Sequence, residues 1–106
     1  MRSAFFAQSV LDEHGNPAGG VAFGNGFCIS WQRGPLGRGA ERTIPNGAFV
    51  EDIIAAALDR LRFYQGSKFN CPENAMAIEA LEGALLQLES RTQDRETRGV
   101  EGTHGL

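Results

Sequence analysis

Apolar positions recur at helical spacing through most of the second half of the chain. Between Cys71 and Arg98, steps of three and four residues alternate along one seam. The seam consists of Cys71, Asn74, Ile78, Leu81, Leu85, Leu88, Thr92 and Arg95. Its middle is apolar, whereas its ends carry an amide and a guanidinium group. The pattern predicts a long amphipathic helix whose packed face becomes polar at both ends.

A second helix is predicted just before this one, from about Ala48 to Gln65. Its apolar stripe is Val50, Ile54, Ala57, Leu61 and Tyr64, with Ile53 and Leu58 beside it. Asn46 or Gly47 is the candidate N-cap, and Gly66 follows the last turn. Because the connection to Pro72 is short, the two segments predict an antiparallel helical hairpin.

The first half of the chain contains short strand-like runs between glycines and prolines. Phe27, Ile29 and Trp31 alternate onto one face, and the run from Val21 to Phe23 is their candidate hairpin partner across Gly24-Asn25-Gly26, where Asn-Gly predicts a tight turn. The run from Ala4 to Leu11 is a further strand candidate. The fold class expected is therefore α+β, with a small antiparallel sheet of two to four strands before the helical hairpin.

With 106 residues, the chain is expected to form a single domain. Residues 1–45 form its β-rich part, residues 46–99 the hairpin, and residues 100–106 a tail expected to be loose unless a neighbour holds it. Such a chain buries only a modest core, which favours a homo-oligomer.

Charge and composition exclude several classes of protein. The formal net charge is −3 and the pI is about 5.3, which argues against binding to DNA or RNA polymers. No apolar run reaches the roughly 20 residues of a membrane span, and the first residues do not resemble a signal peptide, so a cytoplasmic protein is expected. Cys28 and Cys71 are expected to be reduced and mostly buried, and their spacing predicts no metal site. No cofactor and no catalytic residue are predicted.

Side chains at the ends of the seam form a candidate site for a small anionic ligand. Arg91 and Arg95 lie one helical turn apart and point the same way, which suits two phosphates, or one phosphate and a base. Asn74 can read a base edge or a ribose hydroxyl, and Tyr64 can stack on a base. Asn74 and Arg91 are 17 positions apart, or roughly 25 Å along a helix. A shared site therefore requires two chains with antiparallel second helices, which gives two equivalent pockets per dimer.

The resemblance to a known family rests on four stretches of the sequence. These are Asn46-Gly47, Val50–Ile54, Cys71–Ala75 and Arg91–His104. They resemble a family of phage anti-defence proteins, the nucleotide sponges that block Thoeris immunity, which share their helical hairpin with sponges that block CBASS immunity. The resemblance covers about Gly26 to His104 and is strongest over the second helix and its tail.

The resemblance implies a function and a site. Members of that family are not enzymes: they bind cyclic nucleotide signals, chiefly cyclic ADP-ribose isomers and in some cases cyclic di- or trinucleotides. They look like a small sheet plus a hairpin, assembled as dimers that can group into hexamers, with the signal pocket between protomers. The family's asparagine and two arginines match Asn74, Arg91 and Arg95, and its aromatic residue falls on Tyr64. The candidate second pocket consists of Arg98, Thr103 and His104.

Two other functions stay open on the residues alone. The protein can be an enzyme that degrades such a signal, although the sequence offers no evident metal site or general base. It can also be a structural oligomerisation protein whose arginines form inter-chain ion pairs. A further alternative for the two arginines is pairing on a solvated face with neighbouring carboxylates of their own helix, which are Glu89, Asp94 and Glu96.

Overall fold

The computed structural model describes residues 4–106, and its fold confirms the predicted α+β class. Three strands come first: β1 is Phe5–Leu11, β2 is Pro17–Gly24 and β3 is Phe27–Ser30. A single 3-10 turn at Gly39–Glu41 and two helices follow, α1 at Val50–Gln65 and α2 at Pro72–Thr97. The chain divides into two compact units. A sheet unit comprises the residues up to Phe49 together with Gly99–Leu106, and a hairpin unit comprises Val50–Arg98. The assignment to a single domain stays a prediction.

The sheet is antiparallel with strand order β1-β2-β3. The predicted turn at Asn25-Gly26 joins β2 to β3, with Gly24 paired to Phe27. Of the two turn residues only Gly26 has a positive φ, of 87°, which is the pattern of a type II turn. Glycine at that position therefore meets a backbone requirement that other residues satisfy poorly.

Aromatic side chains lie on both faces of the sheet. The rings of Phe6 and Phe23 are directly paired across strands, with centroids 5.3 Å apart, and Cys28 shares their face. Phe5 and Phe27 lie on the opposite face with centroids 6.5 Å apart. All five side chains are exposed, so the expectation that both thiols are mostly buried is wrong for Cys28. A three-stranded sheet is too small to cover both of its own faces.

The tail is not loose, contrary to the expectation from its sequence. The carbonyl of Gly102 accepts a 2.7 Å hydrogen bond from the backbone N–H of Gly37. The Glu101 carboxylate lies 2.6 Å from Nη1 of Arg42. The backbone carbonyl of Glu101 accepts a 2.9 Å hydrogen bond from Nη1 of Arg38. The loop that carries these arginines therefore holds the tail within the sheet unit.

In the hairpin unit, α2 packs along the predicted seam. Every seam position from Cys71 to Arg95 is half-buried, and most positions between them are exposed. The stripe predicted for α1 is only partly right. Leu58 is the most buried side chain of this helix, at 3% exposure, whereas Val50, Ala57 and Tyr64 are exposed. The α1 sequence is apolar on two adjacent faces, and periodicity alone does not decide which of them packs on α2.

The starts of the two helices differ in how well the sequence predicts them. Neither Asn46 nor Gly47 caps α1, because neither directly precedes its first residue. The side-chain oxygen of Asn46 instead accepts a 2.8 Å hydrogen bond from the backbone N–H of Arg33. Helix α1 begins at Val50. Helix α2 begins with Pro72 in its first turn, as expected. Cys71 was not predicted as the N-cap, but its Sγ accepts a 3.4 Å hydrogen bond from the backbone N–H of Asn74.

Candidate ligand-binding ends of the helical hairpin

The loop end of the hairpin carries Asn74 and is fixed by Gln65. The side chain of Gln65 donates to the carbonyl of Cys71 at 3.0 Å and accepts from its backbone N–H at 3.1 Å. This pair ties the last turn of α1 to the first turn of α2. The side-chain amide of Asn74 donates to the carbonyl of Phe69 in the loop at 3.4 Å. The hydrogen bonds described in that loop do not use the Asn74 side-chain oxygen, and a carboxamide oxygen can accept from a base amine or a hydroxyl.

Tyr64 lies in an aromatic cluster at the same end. Its ring centroid is 6.0 Å from that of Phe63, with an angle of 64° between the planes. The guanidinium carbon of Arg60 lies 4.8 Å from the Tyr64 centroid and 4.9 Å from the Phe63 centroid. Both rings are exposed, at 38% for Tyr64 and 62% for Phe63. Arg60 was not predicted as part of this cluster, although it precedes the two rings by three and four residues, the spacing at which helical side chains meet.

A further aromatic residue lies in the loop itself. Phe69 is 67% exposed, and Nζ of Lys68 lies 5.3 Å from its ring centroid. Three exposed rings and two cations therefore belong to the loop end of one hairpin. Exposed rings of this kind offer stacking surfaces for nucleobases, and the neighbouring cations favour anionic ligands.

The opposite end of the hairpin carries the two arginines. Nη2 of Arg91 lies 3.4 Å from Oε1 of Glu51, in the first turn of α1, and the Arg91 side chain is 60% exposed. Arg95 is half-buried at the end of the seam. The carboxylate in this ion pair therefore belongs to α1. It is not one of the predicted alternatives in the same helix as Arg91, which were Glu89, Asp94 and Glu96. Sequence analysis missed Glu51 in this role, since the pair depends on the register between the helices.

Distance along the helix separates the two ends. Helix α2 has 26 residues and so spans about 39 Å. Asn74 lies in its first turn and Arg95 in its last. In one hairpin, the aromatic rings and the Asn74 amide therefore lie at the loop end, and the guanidinium groups lie far away at the opposite end. A single small ligand cannot contact both ends of one chain.

The residues of the candidate second pocket lie in two different units. Arg98 ends α2, where its Nε donates to the Asp94 carboxylate at 3.0 Å. In the sheet unit, the Thr103 hydroxyl donates to the carbonyl of Val100 at 2.6 Å. Nδ1 of His104 lies 3.5 Å from the side-chain nitrogen of Asn16. Arg98 and Thr103 thus have partners close in sequence, whereas the partner of His104 is 88 positions away.

The turn between β1 and β2 lowers the pKa of one carboxyl group, that of Asp12. Asp12 accepts hydrogen bonds from the backbone N–H groups of Asn16 and His14 at 2.9 and 2.8 Å. The bond from the Asn16 backbone is the main reason that the pKa of Asp12 lies below its usual value, and the bond from the His14 backbone lowers it further.

Two kinds of feature are absent from residues 4–106. No helix in this range is both long and apolar enough to cross a membrane. No three His, Cys, Asp or Glu side chains in the same range come together in a way that would hold a metal ion.

The fold and the polar ends define the class: a small α+β protein built on an antiparallel helical hairpin that carries an amide at its loop end and two arginines at the other. The chain belongs to the Acb2/Tad1 hairpin domain family, which matches residues 29–93. It is 50% identical over 76 residues, or 72% of its length, to Thoeris anti-defense 1 from Bacillus phage SBSphiJ7. The chain spans about half the length of that curated relative, since the match covers 51% of it.

Proposed function

We propose that this protein is a non-catalytic sponge for a cyclic nucleotide immune signal, a cyclic ADP-ribose isomer in the first instance, and that it counters Thoeris defence. Membership of the Acb2/Tad1 hairpin family and 50% identity to a phage protein named Thoeris anti-defense 1 support the anti-defence role. The same chemistry extends the proposal to cyclic di- and trinucleotides and to CBASS defence. The protein would act in the infected bacterial cell by holding the signal away from its receptor.

The placement of polar groups at opposite ends of an antiparallel hairpin carries the proposal. Tyr64 and Asn74 belong to the loop end, and Arg91 and Arg95 to the other. When two hairpins pack with their α2 helices antiparallel, the loop end of one meets the arginine end of the other. Each of the two resulting pockets then has a stacking ring, an amide and two guanidinium groups, which together match a base, a ribose and phosphates.

Exposed apolar surface supports self-association. Among the described residues, Ala22 and Leu58 are the only buried hydrophobic side chains. Large apolar side chains are exposed in both units, including Phe5, Phe6, Leu11, Val50, Phe63, Phe69 and Met76. A monomer with so little buried core and so much exposed apolar surface gains stability by covering that surface. A homodimer is the smallest assembly that completes the pocket, and groups of dimers are compatible with it.

Isothermal titration with a panel of cyclic ADP-ribose isomers and cyclic di- and trinucleotides tests the proposal. We expect tight binding of at least one isomer, with unchanged nucleotide recovered by chromatography after heat denaturation. Altered nucleotide would instead favour an enzyme. No binding across the panel would overturn the proposal and favour a structural oligomerisation protein.

Variants locate the pocket. Arg91→Ala and Arg95→Ala each remove a charged hydrogen-bonding group, so we expect a loss of about 2 kcal/mol or more in binding. Arg62→Ala is the matched control, because Arg62 is similarly exposed and pairs with Glu82 at 3.6 Å. Unchanged affinity in both pocket variants, with the fold intact, would overturn the site assignment.

A further inference from the structure

We propose that Arg60 is a positioning residue of the nucleotide pocket, which holds the rings of Tyr64 and Phe63 as a single stacking platform. The proposal rests on the proposed function and adds a residue that neither the sequence pattern nor the family resemblance singles out. It starts from one observation: a single guanidinium group lies within 5 Å of two ring centroids, at 4.8 and 4.9 Å.

The spacing along α1 explains how one cation reaches both rings. Residues three and four positions further along a helix lie next to each other, one turn away on the same side. Tyr64 and Phe63 occupy those positions relative to Arg60, and their rings meet edge to face at 6.0 Å. The cation therefore bridges the rings and restrains the side-chain rotation of both.

Such restraint matters because the rings are exposed. A free aromatic side chain at a helix end samples several rotamers, and a base that stacks on it must select one of them, which costs conformational entropy. A cation over the ring reduces that cost before the ligand arrives. The guanidinium group can do this because its planar, delocalised charge stacks on aromatic faces.

The neighbouring hydrogen bonds fix the backbone beneath this platform. Gln65, the residue after Tyr64, makes two hydrogen bonds to the backbone of Cys71. The main chain that carries the rings is thus tied to the start of α2, where Asn74 lies. Backbone position is set by Gln65, and the ring orientation is set by Arg60.

A double-mutant cycle tests the proposal with the cyclic ADP-ribose isomer that the panel shows to bind most tightly. We expect Arg60→Ala to weaken binding about three- to fivefold, the effect of one or two exposed cation–π contacts. In the background Tyr64→Ala/Phe63→Ala, where no platform remains, Arg60→Ala is expected to cause no further loss. Arg62→Ala, which removes an exposed arginine of the same helix that pairs with Glu82 at 3.6 Å, is the matched control and should leave the affinity within twofold.

A spectroscopic measurement reports the platform without ligand. Ring currents should shift the side-chain NεH proton of Arg60 upfield, and Tyr64→Ala together with Phe63→Ala should abolish that shift while the circular dichroism stays unchanged. The positioning role would be overturned if the effects of the substitutions in the cycle were additive or if Arg60→Ala left the affinity unchanged. It would also be overturned if the NεH proton of Arg60 showed no upfield shift.

The two proposals fail in different ways. If Arg91→Ala abolishes binding but Arg60→Ala does not weaken it, only the role of Arg60 is wrong. If no member of the panel binds, the sponge function and the role of Arg60 in it are overturned together.

Discussion

Nη2 of Arg91, near the end of α2, lies 3.4 Å from Oε1 of Glu51, in the first turn of α1. The pair links the two helices at the end of the hairpin opposite to the loop. Both side chains are partly solvated, at 60% and 32% exposure, so the pair contributes little to stability. Its main consequence is electrostatic, because a carboxylate lies beside a guanidinium group that is proposed to bind phosphate.

Removal of that carboxylate charge should strengthen ligand binding. In Glu51→Gln the amide keeps the shape and a hydrogen-bond acceptor but no longer competes with phosphate for Arg91. We expect cyclic ADP-ribose to bind about two- to fivefold more tightly, which corresponds to about 0.5–1 kcal/mol, the size of an exposed ion pair. Isothermal titration measures the change. Glu82→Gln, which removes the partner of Arg62, is the control, and weaker binding in Glu51→Gln would show that Glu51 instead helps to hold the ligand.

Leu58 is expected to be the most sensitive position of the hairpin. The Leu58 side chain is only 3% exposed, so Leu58→Ala deletes buried methyl groups and leaves a cavity. We expect a loss of about 2–5 kcal/mol in the free energy of unfolding. Urea denaturation followed by circular dichroism measures the loss. Leu86→Ala is the matched control at 66% exposure, with an expected change within about 0.5 kcal/mol. A comparable loss in Leu86→Ala would indicate that Leu86 is covered in an oligomer.

Glu101 should hold the tail within the sheet unit. Glu101→Gln weakens the contacts to Arg42 and Arg38, at 2.6 and 3.9 Å, so the tail should open more often. The amide of Gly37, which donates to Gly102, should then exchange its hydrogen faster, as followed by NMR. Glu13→Gln, at a side chain that is 85% exposed, is the control. Unchanged exchange at Gly37 would show that the backbone bond alone holds the tail.

Acid should weaken the turn at Asp12. The pKa of Asp12 is lowered in the folded protein, chiefly by the hydrogen bond from the Asn16 backbone, so the folded state favours the ionised carboxylate. The resulting stabilisation is present above the unfolded-state value of 3.8 and is lost as the pH falls through the lower folded value. Carbon-13 NMR of the carboxyl group should therefore report a midpoint below 3.8. Asp12→Asn should reduce the dependence of Tm on pH in that acidic range, and an unchanged dependence would contradict the prediction.

Local periodicity was enough to predict the hairpin. The seam of α2 alternates by three and four residues over most of its length, and Gly66 and Pro72 mark the connection. The same reasoning failed for β2, which begins at Pro17 rather than near Val21. Glycines at positions 19 and 20 suggest a turn, yet they belong to the strand. A Cβ at Gly20 would collide with the carbonyl of Gln8 on β1, so glycine permits the close approach of the two strands there.

The candidate site was predicted in part for the same reason. Asn74, Arg91 and Arg95 follow from the polar ends of one seam, and Tyr64 from the end of the preceding helix. Glu51 was missed because its contact with Arg91 joins residues 40 positions apart. Arg60 was missed because an arginine on an exposed helical face gives no periodic signal of its own, and its role depends on where two rings point.

The sequence by itself determined the secondary structure of the hairpin and the placement of its polar groups at opposite ends, because helical spacing converts sequence separation directly into distance. Only the tertiary structure decided which of two apolar faces of α1 is buried, which carboxylate Arg91 contacts, and that the tail is held by Arg38 and Arg42. Those choices depend on packing and on contacts between distant residues, for which a local pattern carries no information.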